Sequence, residues 1–241
     1  MFYFLIGSAM AWRWLLIASA VIPAVFLMVK VYRSDRLEKE SWPMLRRLII
    51  AGVLSTLPAL VLEKLGSAVL PIFARPGSIA YNVLLYFVVV GVSEEVSKYF
   101  LMKRVSWKSP EFNCRYDGVV YAVFVSLGFA LWENVQYVLT YGFSTALVRA
   151  VTAIPGHACF GVFMGILYGE ARSEALYGKT GESKLLRVLS VLIPVLLHGT
   201  YDYIASMERR GGEWIFLLFV GALFFLSFRL IGRSAKKDRY L

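Results

Sequence analysis

The segment GVSEEVSKYF at 91–100 places Glu94, Glu95 and Lys98 directly after YNVLLYFVVV, a run without charge. Lys98 stands at i+4 from Glu94 and i+3 from Glu95, so on a helix it reaches either carboxylate. One glutamate can then be held in an ion pair while its neighbour points about 100° away around the axis. Two adjacent carboxylates resist double ionisation, which suits one of them to take or give a proton. Activating a water molecule requires that. The plain structural alternative is a helix-stabilising ion pair, with Glu95 merely near an interface.

The chain has two histidines. His157 opens HACFGVFMGILYG, in which Gly161, Gly165 and Gly169 follow at four-residue intervals on the same helix face. A stripe of small residues admits a neighbouring helix closely, so His157 is directed at protein and not at lipid. His198 and Asp202, in LLHGTYDYI, are also at i and i+4. A carboxylate there can hold an imidazole in one tautomer and orientation. Pro194, one turn earlier, removes a backbone donor. Glu133 and Asn134 lie in LGFALWENVQYVL, with Tyr137 one turn on, and read as structural support; Asn134 could add a hydrogen bond to the site. Cys114 and Cys159 have neither metal-site spacing nor a disulfide framework.

The elements that carry these groups follow from composition. Of 241 residues, 59% are hydrophobic and 17% charged, with a mean hydropathy of +0.64. A soluble domain is closer to half apolar and a quarter charged, so the expected class is an all-α, polytopic transmembrane helix bundle. With no linker or repeat in view, one membrane-embedded domain over 1–241 is expected. Seven stretches approach the roughly 20 residues needed to cross a bilayer: 11–31, 45–64, 80–102, 116–140, 147–170, 186–206 and 213–233. The IASA stretch at 17–20 resembles a leader cleavage site, but the apolar run continues beyond it and no cationic segment precedes it, so an uncleaved first span is expected.

The net charge of +10 invites a nucleic-acid reading, which the placement of the charges disfavours. Nineteen of the 26 Lys and Arg residues fall in alternate connections and the C-terminal tail. Six (Arg13, Lys64, Arg75, Arg149, Arg209 and Arg210) fall on the opposite side, and Lys98 is within a span. This asymmetry predicts an external N-terminus and a cytoplasmic C-terminus. Glu94, His157 and His198 then lie at similar depths, near the middle of a hydrocarbon core about 30 Å thick. Ionised groups there cost on the order of 3 kcal/mol each and usually mark function.

Four blocks in this order, EEVSK at 94–98, YDGVVYAVFVSLGFALWENVQY at 116–137, GHACFGVFMG at 156–165 and LLHGTYDYI at 196–204, resemble the PrsW family of bacterial intramembrane proteases. That family is similar in turn to the type II CAAX-prenyl endopeptidases and the CPBP proteins. The resemblance implies a glutamic-type peptidase of the bacterial cell membrane, with Glu94, Glu95, His157, His198 and Asp202 at the family's catalytic positions. Lys98, Glu133 and Asn134 would support them. The wider group often carries arginine where Lys98 stands, and lysine lacks the bidentate geometry. The resemblance also implies a substrate: a single-span anti-sigma factor, cut first from the external side in a stress-signalling cascade.

Three rivals remain at this level. Two histidines and a glutamate can hold zinc, although here they come from three helices without an HExxH motif. Intramembrane acids and histidines also build proton-coupled transporters, which favour inverted repeats that are not evident here. A scaffold binding a partner helix through its glycine stripe is the third. The reading adopted is hydrolysis by glutamate-activated water with histidine assistance, without metal or other cofactor.

Overall fold

The computed structural model describes residues 2–207 and 211–241, with side chains from Trp14 onward. Arg13, Arg209 and Arg210 of the charge count lie outside those described side chains. Nine α-helices are described: α1 (Phe2–Ser34), α2 (Trp42–Phe73), α3 (Ile79–Val83), α4 (Val92–Ser106), α5 (Asp117–Tyr141), α6 (Phe143–Val151), α7 (Ala153–Leu176), α8 (Thr180–Ala205) and α9 (Gly212–Lys236). A π-helix, Leu84–Gly91, joins α3 to α4. Among the described residues, seven segments are long and apolar enough to cross a membrane.

Burial sorts these segments. The most apolar stretch of α5 is 78% buried and that of α6–α7 is 61% buried, whereas the other five reach 33% at most. The inner pair is therefore α5 and α7, and the remaining helices turn one face outward. Small residues bring the inner pair together. A Cβ added to Gly118 would lie 2.6 Å from the Gly165 carbonyl oxygen, and one on Gly161 would lie 3.0 Å from that of Ala122. The glycine stripe thus meets α5 backbone to backbone, where dispersion and close approach hold membrane helices together.

Three sequence expectations change. The span expected at 147–170 is two helices, broken at Thr152, so Arg149 belongs to α6. The second span does not stop at residue 64, because α2 continues to Phe73. Ser41 caps its start, accepting a hydrogen bond from the Met44 amide at 3.2 Å. Lys64 and its neighbour Glu63 therefore sit within a helix, not at its end. Third, the run before Glu94 is the π-helix. Its wider turn re-registers α4 relative to a continuous α-helix. It also presents Phe87 to Gly199 of α8, where an added Cβ would lie 2.6 Å from the ring.

At the end of the bundle where α5 begins, Glu40 of the α1–α2 connection is buried near Asp117. Burial, and then the Asp117 charge, push its carboxyl up to about 9.

Candidate active site

Glu94 and Glu95 come from the first turn of α4, His157 from the first turns of α7, His198 and Asp202 from α8, and Glu133 from α5. The structure brings all six together. Glu94, Glu95, His157 and His198 are each at most 6% exposed, and Lys98 is fully buried. Four separate helices contribute, as the sequence blocks require.

Lys98 is the hub. Its Nζ lies 2.9 Å from Glu94 Oε2, 2.8 Å from Glu95 Oε1 and 3.2 Å from His157 Nδ1. It also sits 4.0 Å from the centre of the Phe129 ring. The expectation that one carboxylate would be paired while the other swings away is thus corrected. An ammonium carries three donors, and the i+3 and i+4 positions let it serve both glutamates at once.

The contacts fix the histidine tautomers. An ammonium only donates, so His157 Nδ1 accepts. Its Nε2 therefore carries the proton and donates to Glu133 Oε2 at 3.0 Å. An ionised carboxylate only accepts, so His198 Nδ1 donates to Glu95 Oε1 at 2.9 Å. His198 Nε2 then faces Asp202 Oδ2 at 3.4 Å and Glu94 Oε2 at 3.9 Å. The partner that sets the His198 tautomer is consequently Glu95, and Asp202 stands at the far nitrogen. Phe160 stacks on the His198 ring at 4.8 Å between centroids and helps fix its plane.

Asn134 hydrogen-bonds across helices and adds no hydrogen bond to the site. It is fully buried, donates to the Ala20 carbonyl at 3.2 Å and accepts from Arg149 Nε at 2.8 Å. Its amide ties α5 to α1 and α6, and neither end is offered to the chamber. Arg149, counted with the cations of the opposite side, borders the chamber. Besides Asn134 it pairs with Glu133 at 3.0 Å and lies 3.9 Å from the centre of the Tyr137 ring. It lies in α6, before the break at Thr152.

Two cavities meet at Glu94. A chamber of about 260 Å³ is bordered by Glu94, Glu133, His157, His198, Asp202 and Glu63. A groove of about 390 Å³ runs between α2 and α5, past Leu57, Leu60 and Trp132, and also borders Glu63, Glu94 and Glu133. Leu57, Leu60 and Trp132 are 59%, 49% and 45% exposed, so the groove opens on the outer, apolar surface of the bundle. Glu63 was missed in the sequence because it stood at a supposed span end. The signal that could have found it is the apolar run SAVLPIF that follows. The second oxygen of each glutamate makes no hydrogen bond among the described residues; Glu94 borders the chamber, whereas Glu95 is completely buried.

Fold and site define a multi-pass membrane protein with an acid–imidazole centre enclosed by its helices. Residues 40–229 match the family described as PrsW family intramembrane metalloprotease. Curated relatives named Protease PrsW include that of Halalkalibacterium halodurans, 32% identical over 93% of this chain and 99% of that protein. That of Bacillus subtilis is 31% identical over 93% of this chain and 95% of its own length. That of Clostridioides difficile is 31% identical over 83% of each. No solved structure matches. The chain belongs to the PrsW family of intramembrane proteases, and it is a peptidase.

The family description implies a metal. By donor type the site could hold one: Glu94, Glu95, His157 and His198 each offer a ligand atom, all within 4.8 Å of one another. By arrangement it does not fit. The Lys98 ammonium already contacts three of these four donors. A divalent ion on the same atoms would stand within about 4 Å of it, where repulsion is on the order of 8 kcal/mol at an effective dielectric of about 20. The donors as placed close on an internal cation.

Proposed function

We propose that this protein hydrolyses a peptide bond in a single-span anti-sigma factor, making the first cut from the external side, with Glu94 as the base that activates water. The carrying observation is that Glu94 borders both the polar chamber and the outward-opening groove while Lys98 holds one of its oxygens. A helical substrate sliding along the apolar groove would reach that carboxylate without leaving the membrane. The anti-sigma factor comes from the family resemblance, and the chemistry comes from the geometry.

Glu94 takes a proton from water as the oxygen adds to the scissile carbonyl carbon. The developing oxyanion is met by His198, whose imidazolium form presents Nε2–H toward the chamber. Collapse of the tetrahedral intermediate breaks the C–N bond. The proton held by Glu94 passes to the departing amine, and the carboxylate is regenerated. Glu95 fixes the His198 tautomer, and Asp202 faces the other ring nitrogen at 3.4 Å. Lys98 keeps two adjacent carboxylates tolerable in a dry setting. His157 has both nitrogens committed, to Lys98 and Glu133, and serves as a positioning residue.

The sidedness follows from charge. The chamber lies where α5 and α8 end and α7 begins, opposite the ends that join the lysine- and arginine-rich connections. With those connections cytoplasmic, the chamber is nearer the outside. The test is incubation of the purified protein with a candidate anti-sigma factor, followed by mass spectrometry of the fragments. A cut on the external side of the substrate's span supports the reading. A cut only at its cytoplasmic end, or an intact substrate, contradicts it.

A further inference from the structure

At the end of the bundle remote from the chamber, a second cleft of about 490 Å³ opens between α5, α7 and α9. Its walls are of two kinds. Val119, Ile166 and Leu230 supply an apolar side. Arg233, Lys237 and Arg239 supply a cationic rim, and all three are exposed. A fourth cation, Arg115, is already neutralised by Glu170 at 2.7 Å and donates to Ser173 at 2.9 Å. Arg233, Lys237 and Arg239 make no ion pair among the described residues.

The rim is held in place. Arg233 and Lys237 stand one turn apart at the end of α9, an i, i+4 pair of like charges that is unfavourable unless something neutralises it. Arg239 is fixed through its backbone, whose carbonyl accepts from the Arg115 amide at 3.2 Å. The tail beyond is tied to the loop before α5, with Leu241 donating to the Asn113 carbonyl at 2.7 Å and Tyr240 bridging to Cys114. Asp238 accepts from the Tyr116 amide at 2.9 Å. Three cations thus overhang one cleft whose other wall is hydrocarbon.

We infer that this cleft binds the phosphate headgroup of an anionic phospholipid, with the start of its acyl chains against Val119, Ile166 and Leu230. Uncompensated cations beside an apolar wall at a helix end match that chemistry. A free phosphate would satisfy the cations and leave the apolar wall wet, so the occupant is the lipid. The inference is independent of the proteolytic mechanism, because no chamber residue borders this cleft.

The test titrates the purified full-length protein in mild detergent with phosphatidylglycerol, phosphatidylcholine and inorganic phosphate, reading adducts by native mass spectrometry. Phosphatidylglycerol is expected to bind at least about tenfold tighter than the other two. The Arg233→Gln/Arg239→Gln variant is expected to lose that preference. The Arg104→Gln/Lys108→Gln variant removes the same charge outside the cleft and should keep it. Melting curves of both variants check that they remain folded. Equal losses in the two variants would reduce the effect to net charge and overturn the site. Free phosphate competing as well as lipid, or unchanged lipid binding by Arg233→Gln/Arg239→Gln, would overturn it too.

Discussion

His198 Nδ1 lies 2.9 Å from Glu95 Oε1, and this contact gives two adjacent glutamates different surroundings. Glu95 is sealed, shared between Lys98 and His198. Glu94 keeps an oxygen toward the chamber. In the proposed mechanism this pair, symmetrical in the sequence, divides into a positioning residue and a base, distinguished by which helix each one faces.

The Lys98 ammonium contacts both glutamates and His157. Replacing it with methionine leaves two buried carboxylates without their cation. The expected loss of stability is about 3–5 kcal/mol, read from denaturant unfolding in detergent. A Lys98→Met protein that unfolds like the parent would show that the carboxylates do not depend on it.

Asn134 lies outside the chemistry. Asn134→Ala strips an acceptor from Arg149 and a donor from the Ala20 carbonyl, and should destabilise by about 1–3 kcal/mol. Turnover per folded molecule should stay within about twofold of the parent, since no charge developing in the reaction is within its reach. A large loss of turnover at unchanged stability would return Asn134 to the site.

Metal dependence separates the geometry from the family description. Because Lys98 fills the centre of the donor group, purified active protein should carry well under one equivalent of zinc, and chelators should leave cleavage unchanged. Stoichiometric zinc, with activity lost on chelation and restored on readdition, would mean that Lys98 moves out of the donor group in the working enzyme.

Glu40 makes stability depend on pH in a defined direction. Burial, first, raises its carboxyl from the ordinary 4.5 to about 9. Between those values the folded chain holds a proton that the unfolded chain has released. Stability contributed here is therefore full below the lower value and falls as pH rises toward the upper. Glu40→Gln mimics the protonated form. Its melting temperature should match the parent at about pH 5 and exceed it at about pH 9. The same difference at both would remove Glu40 as the source.

Much of this was legible beforehand for a physical reason. Charges are costly in a bilayer, so Glu94, Glu95, Lys98 and Glu133 stood out against apolar runs, as did His157 and His198. The four-residue glycine interval marked a closely approached face of α7, and the structure shows that α5 is the helix that meets it. What the sequence concealed lay at helix interruptions. The π-helix before Glu94 has the same apolar composition as an α-helix. The break at Thr152 had a signal, Pro155, which has no N–H to donate to the Val151 carbonyl, but the span was drawn through it and Arg149 was placed outside the site. Glu63 was hidden by a span drawn too short. The partner of each histidine was also concealed, because Glu95 and Glu133 reach across helices and leave no fixed spacing.

The central claim is that the Glu94 carboxylate activates the water. The most direct measurement is the cleavage rate of one purified single-span substrate by the parent and by Glu94→Gln, in the same vesicles, with melting curves for both. The parent should release a single pair of fragments, and Glu94→Gln should be slower by about 100-fold or more while melting alike. Cleavage by Glu94→Gln at the parental rate would contradict the account.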